Sequence, residues 1–323
     1  MSHLVQIAEP DPTTAVIEGL TPGLMTRPAF VMNAPFSYTT NTPNNPWMLD
    51  LPPEKRKVDP KRSLTQFLQV YRFLSADAFV FLVPTPRDCG LQDLVFTANL
   101  GVVLEHVPGR DVAVISNFTS EPRRGETAVG MSFFEAMGYQ ATVAPHRFEG
   151  DAELKHLHDD VYVGGYGIRS ERQTYDWMER EFDMRVVKVR LTEPYLYHLD
   201  CAVFPITRED TLVCTQLFDK AEVDEIGRHT NVIDVSVEDC FSGICNSVRV
   251  YNTLLNASNI HELKAGTEEY DHEIAKNRRL EDIAARLALE VTFFNLSEFM
   301  KGGALLSCMV LHLNRNSYEV SLL

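Results

Sequence analysis

Leu94-Val95-Phe96-Thr97-Ala98-Asn99-Leu100-Gly101-Val102-Val103-Leu104-Glu105 leads into Val112-Ala113-Val114-Ile115, and then into a helical pattern over 126–137. The first two runs are apolar and rich in β-branched residues, which predicts strands. The third ends at Gly138, a residue that accepts the left-handed conformation in which helices commonly stop. Strand, strand, helix is therefore the local grammar.

The same grammar extends in both directions. Short apolar runs at 79–83, 161–163, 186–191, 202–206, 232–235, 291–294 and 309–313 read as further strands, bounded by Gly, Pro and Asn or Asp turns. Ser170 with Gln173 reads as a capping box opening a helix to about 182. The segment 270–289 carries Leu280, Ile283, Ala284 and Leu287 on one helical face. Strand pairs followed by a helix and another strand recur, with a period too degenerate to define repeats. Residues 38–62, rich in Pro and Asn, read as a long surface loop of a kind that is often functional. With no low-complexity stretch or evident linker, 1–323 reads as one α/β domain, with about 1–30 as an N-terminal extension.

The 323 residues can bury a large core, and 45% hydrophobic with 23% charged residues is ordinary globular composition. A net charge of -15 argues against nucleic acid or an anionic membrane as partner, since both require basic surface. No secretory signal or stretch of about 18 apolar residues is visible. The six cysteines include no CxxC pair, so free thiols in a reducing compartment, with cytoplasm as the default, are expected. The lack of clustered Cys and His argues against a structural zinc.

Several residues have the chemistry of a site. Cys308 follows Gly302-Gly303 and precedes an apolar terminal strand, where a thiol can be held rigidly. His198 and Asp200 are two apart, so in an extended segment they face one side, a base beside a carboxylate. Glu149 and Asp151 flank Gly150, which permits a sharp turn. Asn99 is a polar interruption between two apolar runs. Arg123, Arg124 and Arg169 stand before helix starts, and arginine suits the bidentate grip of a carboxylate. Taken singly, these read more readily as an inert thiol, a surface ion pair, a solvated turn and loop arginines, and Asn99 as a simple hairpin turn.

Their order is more specific. Asn33-Ala34-Pro35-Phe36, Asn45-Pro46-Trp47-Met48, Asp93 to Asn99, Arg123 to Glu126, Phe148-Glu149-Gly150, Gly167-Ile168-Arg169-Ser170, Tyr197-His198-Leu199-Asp200 and Glu298 to Cys308 span nearly the whole chain. This set resembles the guanidino-group-modifying (pentein) superfamily of arginine deiminases, amidinotransferases and dimethylarginine hydrolases. The resemblance implies a five-bladed α/β propeller of pseudo-fivefold ββαβ units.

The resemblance also implies roles. Cys308 matches the nucleophile, His198 the acid/base and Glu149 the carboxylate that engages the guanidinium and assists proton movement. Asp200 matches the carboxylate gripping the guanidinium nitrogens. Arg123 and Arg169 match the α-carboxylate ligands, with Arg124 as fallback. Asn99 stands where deiminases carry aspartate and resembles the arginine dihydrolase branch, which takes arginine to ornithine. Two departures are the short Glu149-Gly150-Asp151 turn and the apolar approach Ala304-Leu305-Leu306-Ser307.

The reaction implied by the resemblance is hydrolysis of arginine or a close analogue through a Cys-linked S-alkylthiouronium, with no cofactor or metal. The expected partner is a small guanidino substrate, and homo-oligomerisation is compatible. Dimethylarginine hydrolysis and amidino transfer are alternatives within the superfamily. A non-enzymatic propeller protein is the alternative of another class, and such proteins lack the Cys/His/carboxylate set.

Overall fold

The computed structural model describes residues 22–87 and 89–319. Its strands form five three-stranded sheets among these residues. In chain order they are β1 (Ala29–Met32), β2 (Phe79–Leu82), β3 (Gly101–Val103), β4 (Val112–Ile115), β5 (Gln140–Val143), β6 (Leu154–His158), β7 (Val161–Tyr166), β8 (Arg185–Arg190), β9 (Val203–Pro205), β10 (Asp210–Val213), β11 (Asn231–Asp234), β12 (Val248–Val250), β13 (Thr253–Ala257), β14 (Glu290–Phe294) and β15 (Leu311–His312).

Each sheet has one design. The middle strand pairs antiparallel with a short strand on one side and parallel with a third strand on the other, as in β3-β4-β5, β6-β7-β8, β9-β10-β11 and β12-β13-β14. A parallel neighbour requires a crossover, and a helix supplies it each time: Pro60–Asp77, Glu126–Ala136, Arg172–Phe182, Lys220–Ile226 and Glu268–Arg286. The remaining sheet is β15-β1-β2, so the first and last strands lie side by side, with Phe30 opposite His312. The α/β class is as expected.

Apolar faces weld the units together. Leu280, Ile283 and Ala284 of the helix Glu268–Arg286 share a buried cluster with Val203, Leu212 and Leu254 of two sheets. Phe67, Val70 and Leu74 of Pro60–Asp77 pack with Phe30 and Met32. Burial of this kind is the main favourable term in folding.

The structure amends several local expectations. The run 94–105 is strand only at its second half, because Thr97–Asn99 forms a 3-10 turn. Likewise the run 309–313 is strand only at Leu311–His312, because Met309 belongs to the 3-10 turn Ser307–Met309 that carries Cys308. Ser170 does not cap the helix Arg172–Phe182; Glu171 holds the N-cap position without a side-chain bond. Ser170 Oγ is engaged elsewhere, by the Glu149 amide and the Glu153 carboxylate. The segment 38–62 is no open loop, since it holds the short helices Pro46–Asp50 and Pro53–Arg56 and starts a third. Buried Ala29 and Phe30 open β1; residues 1–21 of the expected N-terminal extension lie outside the described residues.

One recurring feature positions the site. A 3-10 turn precedes the short inner strand in four of the five units: Thr97–Asn99 before β3, Gly150–Ala152 before β6, Leu199–Cys201 before β9 and Ser307–Met309 before β15. The turns also touch. Thr97 Oγ1 donates to Val31 O and Met309 O, both at 2.9 Å.

Gly150 lies against the first turn, and a Cβ there would sit 2.5 Å from Ala98 O and 2.8 Å from Gly101 O. Its φ of +69° is in the left-handed region that L side chains resist. Gly150→Ala is therefore expected to destabilise by more than about 2 kcal/mol, read from urea unfolding midpoints. An unchanged midpoint would mean that the two turns are not in this close approach.

Candidate active site

Two buried clusters lie on these turns. The first is built around Glu149, whose side chain is fully buried. Glu149 Oε2 is 2.7 Å from His198 Nε2, and Oε1 is 3.5 Å from Arg169 Nη1 and accepts from the Thr119 amide at 3.3 Å. Burial would raise the Glu149 carboxyl, but Arg169, His198 and Arg123 overcome it and hold the group down at about 2. As Glu149 is then a carboxylate, His198 Nε2 is the donor of their bond. The Arg169 guanidinium lies 4.7 Å over the Tyr197 ring and donates to Asn44 O at 2.7 Å.

The second cluster surrounds Cys308, which is 5% exposed. Its thiol lies 3.8 Å from Asp200 Oδ2, and Asn246 Nδ2 donates to the sulfur at 3.4 Å. Ser307 Oγ donates to the same Asp200 oxygen at 2.5 Å. Burial, followed by the Asp200 charge, pushes the Cys308 thiol up to about 12, against a smaller pull from Asn246. At neutral pH it is therefore a thiol until a cation joins it.

Arg123, Asn99 and Asp93 form a third group. Arg123 binds Glu126 bidentately, Nε to Oε1 at 3.0 Å and Nη2 to Oε2 at 2.7 Å, and donates through Nη1 to Asn99 Oδ1 at 2.9 Å. That bond orients the Asn99 amide, whose Nδ2 reaches Glu149 O at 3.3 Å. Much of the Arg123 fork is thus committed within the protein, while Arg124 is exposed. Asp93 accepts from Asn44 Nδ2 at 2.5 Å through one oxygen; the other, Oδ1, is buried without a hydrogen bond among the described residues.

A small polar cavity opens among Asn44, Asn45, Asp93, Asn99, Arg123, Arg169, Tyr197 and His198, with Gly302 and Ala304 on its rim. It gathers four of the seven residues singled out from the sequence. Cys308, Asp200 and Glu149 are not on its wall. The expectation that His198 and Asp200 face one cavity fails because a 3-10 turn starts at Leu199, which breaks the alternation of an extended segment. His198 turns to Glu149 and the cavity; Asp200 turns to Cys308.

Asp151 also departs from its neighbour. Burial would raise its carboxyl, but Lys155, Arg315 and His312 surround it and hold it well below the usual range. An adjoining cavity, lined by Trp47, Tyr195, Phe241, Met300, Ala304 and Leu305, accounts for the apolar approach to Cys308.

Sequence reasoning did not assign Asn44, Asp93, Glu126, Ser307 or Asn246 to the site. Asp93 and Glu126 lay inside quoted motifs, so motif membership was the available signal; Asn246 had none. Among the described residues, no group of three or more His, Cys, Asp and Glu side chains is placed to hold a metal ion, and no helix is long and apolar enough to cross a membrane.

The Glu149 shift gives a pH dependence. A carboxyl at about 2 when folded, against an ordinary 4.5, contributes stability that is complete above 4.5 and is lost as pH falls toward 2. Urea midpoints of the intact chain are expected to fall steeply across that window. In Glu149→Gln the fall is expected to be shallower, and parallel curves would contradict the assignment.

Comparison with known proteins places this geometry. The sequence model of the eukaryotic N,N dimethylarginine dimethylhydrolase family matches residues 34–315. The bifunctional arginine dihydrolase/ornithine cyclodeaminase AgrE of Nostoc sp. is 27% identical over 294 residues, which cover 89% of this chain and 38% of that protein. The N(G),N(G)-dimethylarginine dimethylaminohydrolase of Mycobacterium tuberculosis is 28% identical over 175 residues, 54% of each chain.

Among solved structures, the substrate-bound N-terminal domain of ArgZ, an arginine dihydrolase of cyanobacteria, superposes with a TM-score of 0.76 at 25% identity, covering 89% of this chain and 98% of that one. The same domain is known covalently bound to a reaction intermediate. This chain spans well under half the length of the bifunctional cyanobacterial proteins. The family match takes in most of the described residues, and the chain belongs to the N,N dimethylarginine dimethylhydrolase family, within the guanidino-group-modifying superfamily that the ordered motifs indicated.

Proposed function

We propose that the chain hydrolyses the guanidino group of arginine or a close analogue, with Cys308 as nucleophile. The observation that carries the reading is the buried thiol held 3.8 Å from the Asp200 carboxylate, on a turn that touches the one carrying Asn99, against which Gly150, next to Glu149, is packed in turn. A guanidinium drawn to Asp200 would offset the charge that keeps Cys308 protonated, so the substrate itself helps to make the thiolate. With the thiol proton passed to His198, sulfur attack on the central guanidino carbon gives a tetrahedral adduct. Its collapse expels ammonia with a proton from His198, leaving a cationic S-alkylthiouronium. His198 then takes a proton from the attacking water, and the thiolate leaves. Glu149, bound to His198 at 2.7 Å, keeps the imidazole oriented.

The cavity suits the other end of an amino acid. Arg169 would take the α-carboxylate, and the unbonded Asp93 Oδ1 the α-ammonium. Arg123 contributes by fixing Asn99. On the asparagine at 99, the reading favours continuation past citrulline to ornithine, with release of a second ammonia and carbon dioxide. A second reading, dimethylarginine hydrolysis, is favoured by the family match and by the apolar cavity beyond Ala304, which would suit N-methyl groups.

We further propose that the five sheets are blades of a closed propeller in a single catalytic domain. The repeated ββαβ order and the β15-β1 pairing support this. The six free cysteines support a cytoplasmic setting.

Incubation with arginine, citrulline, agmatine and methylated arginines, with products identified by mass, tests the substrate. Ornithine and ammonia from arginine are expected; dimethylamine release would favour the second reading, and no consumption of any would remove both. Cys308→Ala is expected to fold normally and lose at least about 1,000-fold in turnover. Ammonia release at the original rate would eliminate the proposed nucleophile. Asn99→Asp keeps the acceptor for Arg123 but loses the donor to Glu149 O, and is expected to shift products toward citrulline. Undiminished ornithine formation would contradict that role.

A further inference from the structure

The unit of β12 has no 3-10 turn, yet its approach follows the plan of the others. In the four turns the last residue stands two positions before an inner strand: Asn99 before Gly101, Ala152 before Leu154, Cys201 before Val203 and Met309 before Leu311. The corresponding residue before Val248 is Asn246. Its backbone amide donates to Gly243 O at 3.1 Å, as the Cys201 amide donates to His198 O at 3.2 Å. Asn246 thus occupies in the fifth unit the position that Asn99 holds in the second.

Its side-chain orientation is determined by its partners. The Ser307 backbone N–H is only a donor, and it meets Asn246 Oδ1 at 2.8 Å. The NH2 group must then point the other way, which is where it meets Cys308 Sγ at 3.4 Å. A buried lysine fixes the loop behind it. Lys276 is fully buried, lies 3.0 Å from Glu273 and donates to Asn256 Oδ1 at 3.0 Å. That leaves Asn256 Nδ2 as the donor to Gly243 O at 2.9 Å and Ser247 Oγ at 2.8 Å, on either side of Asn246.

We propose that Asn246 is a further active-site residue, an amide aimed by Ser307 N–H to hold the sulfur of Cys308 as a thiolate, and that Lys276, through Asn256, is a positioning residue for it. The inference rests on Cys308 being the nucleophile. The other charged groups that act on the sulfur are Asp200, which opposes a negative sulfur, and Lys155 from β6, which favours it, while burial pushes the neighbouring Tyr197 and Cys201 well up and leaves both neutral. Asn246 is the donor side chain in direct contact with it. Loss of one such hydrogen bond is worth about tenfold in the thiolate population.

The test is alkylation of Cys308 by iodoacetamide across pH, read by mass of the peptide that carries it, alongside arginine turnover. Asn246→Asp keeps the acceptor for Ser307 N–H and sets an anion against the sulfur. Its alkylation midpoint is expected to move up by more than the about one unit expected for Asn246→Ser. Lys276→Met is expected to move it in the same direction by less. A thermal melt of each variant establishes folding, and Asn246→Ser carries the test if Asn246→Asp does not fold.

Folded Asn246 variants with an unmoved midpoint would overturn the inference, and would do so even if the chain consumes arginine. A raised midpoint supports it; if that chain consumes no guanidino compound, the substrate reading fails while the inference stands.

Discussion

The burial of a thiol against a carboxylate is the constraint that governs the site. Cys308 and Asp200 both oppose ionisation of the sulfur in the empty protein, one by its own desolvation and the other by its charge. Such a pair is costly to fold, because burial gives neither group full solvation. On the proposed reading it becomes productive when a planar cation enters: the same carboxylate that suppresses the thiolate would attract the guanidinium that relieves the suppression. On that reading reactivity would be coupled to substrate binding.

The architecture serves that coupling by concentrating turns. Each inner strand is only two to five residues long, and the 3-10 turns before β3, β9 and β15 carry Asn99, Asp200 and Ser307 with Cys308. Contact between turns replaces a long rigid element as the source of precision. Thr97 bridges to Met309, Gly150 presses on Ala98 O, and Ser307 ties Asp200 to the Cys308 turn. Gly303 shows the same demand, with φ +74° and a Cβ position that would meet Asn45 Oδ1 at 2.6 Å. Charge is arranged in matched sets: Glu149 with Arg169 and His198, Arg123 with Glu126, and Asp151 with Lys155, Arg315 and His312. Removing one member would strand its partner in a dry interior.

Much of this was legible in the sequence, unevenly. Val112–Ile115 coincides with its expected strand because four apolar residues between turns admit few other readings. Gly138, with φ +86°, ends its helix as a C-cap glycine should. The inner strand Val248–Val250 is too short for periodicity, and Asp210–Val213 begins on a polar residue. For the site, motif order singled out Cys308, His198, Glu149 and Asp200. Their division into two clusters was hidden, since it depends on the turn starting at Leu199. Asn246 was invisible because its meaning lies in an equivalence between units that share no sequence signal.

The central claim is that sulfur of Cys308 bonds to the guanidino carbon. The most direct measurement is an acid quench of the chain during turnover of arginine, followed by peptide mass mapping. A thiouronium on Cys308 requires an amidino-derived mass increment on the peptide carrying that residue, absent before substrate is added. Sustained turnover with that peptide unmodified at every quench time, and the increment on another residue, would contradict it.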